Sequence, residues 1–86
     1  VRFLQVTVEV MARDAETIAA VQQNAPLIRN NLMLMMSSLE YAQVMSREGK
    51  EALRAKSLAE VQAILERETG GKAALEDLLF TSFVVQ

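Results

Sequence analysis

The chain has 86 residues, of which 51% are hydrophobic, and its formal net charge is −2. This length supports a single domain over residues 1–86, and the apolar fraction suffices for a hydrophobic core, which excludes a disordered tail. Cysteine and histidine are both absent, so disulfides, zinc–thiolate sites, thiol nucleophiles and histidine bases are excluded, and the near-neutral charge argues against nucleic-acid binding.

The first predicted element is a β-strand over residues 1–11. Apolar and polar residues alternate there, and a period of two with β-branched side chains predicts a strand with one buried face. Phe3 and the polar residues are predicted to face outward. The predicted inward side chains are Leu4, Val6, Val8 and Val10.

The next segment has a helical period that contains Pro26. A proline inside a helix removes one hydrogen bond and clashes with the preceding turn, at a cost of about 3 kcal/mol. The sequence therefore predicts two helices, over residues 14–23 and 25–38, with Asp14 as the N-cap of the first and Asn24 as the N-cap of the second. Ser37 and Ser38 are interpreted as a helix-ending turn rather than as nucleophiles, because no glycine-rich elbow surrounds them.

In the second half of the chain, the sequence pattern predicts a loop or short strand up to residue 45. A long helix follows, and a final strand covers residues 75–86. Ser46 is the predicted N-cap of that helix, and Gly70 and Gly71 end it, since glycine adopts the left-handed conformation without steric cost. The final strand is almost continuously apolar, which indicates a central strand covered on both faces. Glu76 and Asp77 are interpreted as the solvated start of this strand, not as a catalytic pair.

The order strand, helices, strand predicts an α+β fold. We expect the terminal strands to form a small antiparallel sheet, with two to three helices packed on one of its faces.

A methionine-rich stretch over residues 32–36 lies in the second predicted helix. On a helical wheel Ile28, Leu32, Met35 and Leu39 cover one arc, which predicts core, whereas apolar residues also cover the flanking arcs. For Met33 and Leu34 a core role and a partner surface remain equally open, because methionine also suits adaptable contact surfaces. The candidate self-association residues are Met33, Leu34, Met36 and Leu27.

Five segments of the chain resemble, in order, the soluble domain of the FliL family of flagellar basal-body-associated proteins. The segments are RFLQVTVEV (2–10), APLIRN (25–30), SSLEY (37–41), REGKEAL (47–53) and FTSFVVQ (80–86). Each segment alone is weakly specific, whereas five in register along the whole chain are more specific.

This resemblance implies a stomatin/prohibitin-like domain on the periplasmic side of the bacterial inner membrane, at the flagellar basal body. It implies an N-terminal membrane helix and a preceding segment upstream of residue 1, and therefore an edge strand missing from this chain. The implied partners are further copies in a ring and the periplasmic linker and plug of the stator subunits. The implied role is to support stator activity, torque and motility without enzymatic activity or a cofactor.

Without the resemblance, the residues are also compatible with two other functions. The first is a cytoplasmic adaptor that uses the Met/Leu-rich helix as a groove ligand. The second is a hydrolase or transferase accessory domain, which the missing histidine and cysteine disfavour. The longest apolar run, over residues 32–36, is far shorter than the roughly 18 residues of a membrane helix.

Overall fold

The computed structural model describes residues 3–86. Residues 1 and 2, where the first predicted strand and the first FliL-like segment begin, lie outside the described part. The bounds of the elements are β1 (Leu4–Met11), α1 (Ala15–Gln23), α2 (Ala25–Ser37), α3 (Tyr41–Met45), α4 (Arg47–Thr69) and β2 (Asp77–Val85).

The two terminal strands pair antiparallel, with Leu4 opposite Val85 and Val10 opposite Leu78. The register shifts once, because Thr7 lies opposite Ser82 whereas Val8 lies opposite Phe80. This shift leaves an extra residue in β2 and produces a β-bulge. The predicted α+β fold, with a small antiparallel sheet from the terminal strands and helices packed against it, is confirmed.

The prediction that β2 is a central strand covered on both faces is wrong. Within the described residues the sheet has only two strands, and Leu79 and Val84 on its outer face are each 38% exposed. The inner face of β2 packs against the core through Leu78 and Phe80. The apolar side chains of β2 therefore lie on two faces of the strand, one packed against the core and one exposed to solvent.

Pro26 separates two helices, as predicted. It occupies the first turn of α2, where its missing N–H has no intrahelical partner to lose. Asp14 caps α1, since its carboxylate accepts a hydrogen bond from the Thr17 backbone N–H at 2.7 Å. This bond lowers the pKa of Asp14 below its ordinary value. Asn24 occupies the N-cap position of α2 as predicted, and its carbonyl accepts from the Ile28 N–H, but its side chain makes no capping bond there. The Asn24 amide instead donates to the Ala20 carbonyl at 2.9 Å and closes α1.

The segment predicted as a loop or short strand contains the short helix α3. A capping box forms at its start, where Glu40 accepts from the backbone of Gln43 and the Gln43 side chain accepts from the Glu40 N–H. Val44 is buried and anchors α3. Ser37 and Ser38 end α2 as predicted, because their hydroxyl groups donate to backbone carbonyls one turn earlier.

The long helix α4 is the central element of the core. Ser46 caps it by accepting from the Gly49 N–H at 2.8 Å, and Gly70 ends it with a left-handed φ of 64°, so both predicted ends are confirmed. The spacing of Leu53, Ser57, Val61, Ile64 and Glu68, widened by Leu58 and Leu65, predicts one stripe along this helix. The structure buries Leu53, Ser57, Val61, Ile64 and Leu65, half-buries Leu58 and leaves Glu68 exposed.

Candidate protein-interaction surface

An open apolar groove of about 680 Å³ runs between β1 and α2, and we call it the β1–α2 groove. The floor consists of the inward side chains of β1, and α2 forms the opposite wall. The main lining side chains are Leu4, Val6, Val8 and Val10 from β1, and Ile28, Arg29, Leu32, Met33 and Met36 from α2.

The groove stays open because the helices cover the two strands unequally. The inward side chains of β1 are only half-buried, whereas Leu78 at the start of β2 is fully buried. Helix α4 contacts β2 directly. A contiguous apolar surface left in water favours a binding role, because monomeric soluble proteins rarely expose large patches of this kind.

The predicted self-association residues do not lie together on one surface. Met33 and Leu34 are 61% and 59% exposed, and Met33 and Met36 line the β1–α2 groove while Leu34 and Leu27 do not. Leu27 and Met36 are half-buried and pack against the core. One apolar side of α2 therefore faces the groove, whereas Leu34 is exposed on a different part of the helix surface.

The sequence did not predict the apolar residues on the outer face of the sheet as a group. The exposed large side chains on this face are Phe3, Met11, Leu79 and Val84. The outward direction of Phe3 follows from the alternation of β1. The exposure of the two β2 residues could not be predicted, because a continuous apolar run has no period that distinguishes one face from two.

Arg54 connects α4 to the start of β2. Its guanidinium donates to the Asp77 carboxylate at 2.7 Å, to the Leu78 carbonyl at 3.1 Å and to the Glu51 carboxylate at 2.6 Å. Glu76 instead pairs with Arg13 at 3.1 Å. The adjacent carboxylates therefore have different cationic partners, and Asp77 begins the strand as predicted.

This arginine cluster predicts a pH dependence of stability. The hydrogen bond from Arg54 lowers the pKa of Glu51 below its ordinary value of 4.5, so the pair stabilises the fold above that pH and loses its effect as the pH falls through the lowered pKa. We expect Arg54→Met to lower the melting temperature at pH 7, and the difference from the wild type to shrink at more acidic pH. Thermal scans between pH 7 and pH 3 measure this difference.

Lys56→Met is the matched control for the arginine replacement, because Lys56 is an exposed cation on the same helix. Its melting temperature should stay close to that of the wild type at every pH. A difference between Arg54→Met and wild type that does not change with pH would show that the ion pair with Glu51 contributes nothing, and that Arg54 acts through its hydrogen bond to the Leu78 carbonyl or through packing.

Residues 3–86 contain no group of three or more aspartates and glutamates placed to hold a metal ion. Over the same residues, no helix combines the length and the apolar character that crossing a bilayer requires.

The family model described as "Flagellar basal body-associated protein FliL" matches residues 1–86. The chain belongs to the FliL family. A search of curated proteins found no match. Membership in the FliL family confirms the resemblance of the five sequence segments and implies an accessory role at the flagellar basal body. The β1–α2 groove and the exposed part of α2 are thus the candidate contact surfaces of a FliL domain.

Proposed function

We propose that this FliL domain is a non-enzymatic accessory component of the flagellar motor that assembles around the stator and supports stator activity, torque and motility. We place it on the periplasmic side of the inner membrane, attached by an N-terminal membrane helix, with the linker and plug of the stator as its partner. The observation that carries the proposal is the match to FliL along the whole chain. The match favours this role over a cytoplasmic adaptor.

The chemistry of the surface supports an interaction role. The Arg54 cluster ties α4 to β2, and the Ser37, Ser38 and Ser57 hydroxyl groups donate to carbonyls of their own helices. These groups hold the fold together, whereas the β1–α2 groove is lined mainly by apolar side chains and α2 also exposes Met33 and Leu34. Such surfaces gain free energy when a partner removes them from water.

Self-association into a ring requires a heterologous contact, in which each copy uses two different patches. Met33 and Leu34 supply apolar area for one of these patches. A contact that buries less than about 1,200 Å² is transient. Attachment to a membrane would strengthen it, because tethering raises the effective concentration.

The double replacement Met33→Ser and Leu34→Ser should reduce self-association without unfolding the domain. Both side chains are mostly exposed, and surface substitutions usually change stability by no more than about 0.5 kcal/mol. Sedimentation velocity from micromolar to millimolar concentration measures the association. Met45→Ser on α3 is the matched control, since Met45 is 49% exposed. A wild type that stays monomeric at millimolar concentration, or a double variant that unfolds, would contradict the assignment.

Motility of a strain that lacks the gene tests the function itself. We expect slower spreading in soft agar without the gene, full recovery with the full-length wild type and with Met45→Ser, and partial recovery with the double α2 variant. Equal motility with and without the gene, under normal and raised viscosity, would argue against a role in torque.

A further inference from the structure

Helix α3 and the start of α4 form a small apolar contact that is separate from the main core. Val44 of α3 and Leu53 of α4 are buried, with exposed fractions of 6% and 3%, but neither belongs to the core cluster that contains Val61 and Ile64. Helix α3 packs against α4. The contact that buries Val44 and Leu53 can therefore open while the main core stays intact.

Helix α3 lies over the face of α4 that carries Leu53. Gly49 and Leu53 are four residues apart, so they share one face of the helix. A Cβ atom at Gly49 would overlap the Gln43 carbonyl oxygen of α3, which shows how closely the backbone of α3 approaches this face. Val44 follows Gln43 directly in the chain. Helix α3 thus covers the apolar site at Leu53.

The bonds that give α3 its shape are local, and the helices on either side are closed by bonds of their own. The capping box joins Glu40 to Gln43, and the Val44 N–H donates to the Glu40 carbonyl at 3.4 Å. The serines at the end of α2 donate to carbonyls within α2, and the Ser46 side chain caps α4. A five-residue helix has little stability of its own, so α3 can unfold without disturbing the ends of α2 and α4.

We propose that α3 is a lid, which opens by local unfolding while α2, α4 and the sheet stay folded, and that its opening exposes the apolar site at Leu53. In the closed state Val44 occupies this site, and in the open state the site faces water. Local openings cost less free energy than global unfolding, because they break fewer buried apolar contacts. The α3 lid therefore controls access to an apolar site that the closed domain hides.

Cysteine labelling tests the lid directly, because the chain has no cysteine of its own. Leu53→Cys reports opening of the lid, and Val61→Cys reports opening of the main core, since Val61 is fully buried there. Each labelling rate with an excess of a disulfide reagent is divided by the rate of the same variant unfolded in urea. We expect this ratio to be at least about tenfold larger for Leu53→Cys.

The urea dependence of labelling distinguishes local from global opening. Below the unfolding midpoint, urea should hardly change the labelling rate of Leu53→Cys and should steeply raise that of Val61→Cys, because the dependence follows the surface that opening exposes. Val44→Cys should behave like Leu53→Cys, since it reports the same contact from the other helix. A labelling rate that rises as steeply with urea in both lid variants as in Val61→Cys overturns the proposal.

Removal of the capping box provides a second readout. In the Leu53→Cys variant, an added Glu40→Ala should raise the labelling rate about fivefold, because loss of the cap destabilises the closed lid. Glu66→Ala is the matched control, since Glu66 is an exposed glutamate at the other end of α4, and it should leave the labelling rate unchanged. A labelling rate that Glu40→Ala does not change would show that α3 does not control access to Leu53, and would also overturn the proposal.

Amide hydrogen exchange of the unaltered chain decides the question if the cysteine variants do not fold. The Val44 amide should exchange with little dependence on urea, whereas the Ile64 amide should exchange only through global unfolding. Equal protection and equal urea dependence of the two amides would rule out a separate opening of α3. The lid does not depend on the flagellar role, so neither outcome affects the motility test.

Discussion

Replacement of Ile64 by alanine is expected to lower the free energy of unfolding by about 3–4 kcal/mol. Ile64 lies on α4, is fully buried, and belongs to the core cluster with Val61, Leu65 and Leu78. The cost combines the lost transfer free energy with the cavity that remains. A domain of this size has a total stability of roughly 5–10 kcal/mol, so this one change removes a large share. Urea unfolding followed by circular dichroism measures it.

Leu34→Ala is the matched control for this core replacement. Leu34 is also a large aliphatic residue on a helix, but it is 59% exposed, so truncation should change stability by no more than about 0.5 kcal/mol. The two variants together separate core from surface on this small domain. An equal loss of unfolding free energy in both variants would mean that Leu34 is buried in solution. A loss of unfolding free energy below about 1 kcal/mol for Ile64→Ala would contradict the central place of α4 in the core.

The elements that the sequence predicted well have strong local signals. The alternation of β1, the Pro26 break, the Ser46 cap and the Gly70 end each depend on residues within a few positions of one another. The buried stripe of α4 also follows from spacing alone, because residues three and four apart share one face of a helix. Residues close to one another in the sequence are therefore enough to predict these features.

The features that the sequence did not predict depend on tertiary packing. Helix α3 has only five residues, and isolated helices of that length are unstable. Its presence depends on a capping box and on burial of Val44. Asn24 lies between the end of α1 and the start of α2, so its side chain can form a hydrogen bond to either helix. Which helix it bonds to depends on the positions of both helices, and the sequence does not specify them. The β1–α2 groove depends on how far α2 stands from β1, which no periodicity specifies.

Gly49 is a further residue whose role only the structure shows. It lies in the first turn of α4, and a Cβ atom built at this position would overlap the backbone carbonyl oxygen of Gln43 in α3. A backbone atom of this kind cannot move aside without displacing α3. The absence of a side chain at Gly49 therefore permits the close approach of the two helices and the burial of Val44.

Gly49→Ala is expected to lower the free energy of unfolding by about 2 kcal/mol, the usual cost of overpacking. The sign of this change in the free energy of unfolding distinguishes the two effects, because alanine in place of glycine normally stabilises a helix by up to about 1 kcal/mol. Tyr41 is the only tyrosine of a chain without tryptophan and lies in α3, so its fluorescence should report displacement of α3 before global unfolding. Glu48→Ala, at an exposed position in the same turn, is the control. A Gly49→Ala variant more stable than the wild type, with unchanged tyrosine emission, would show that α3 and α4 do not approach closely in solution.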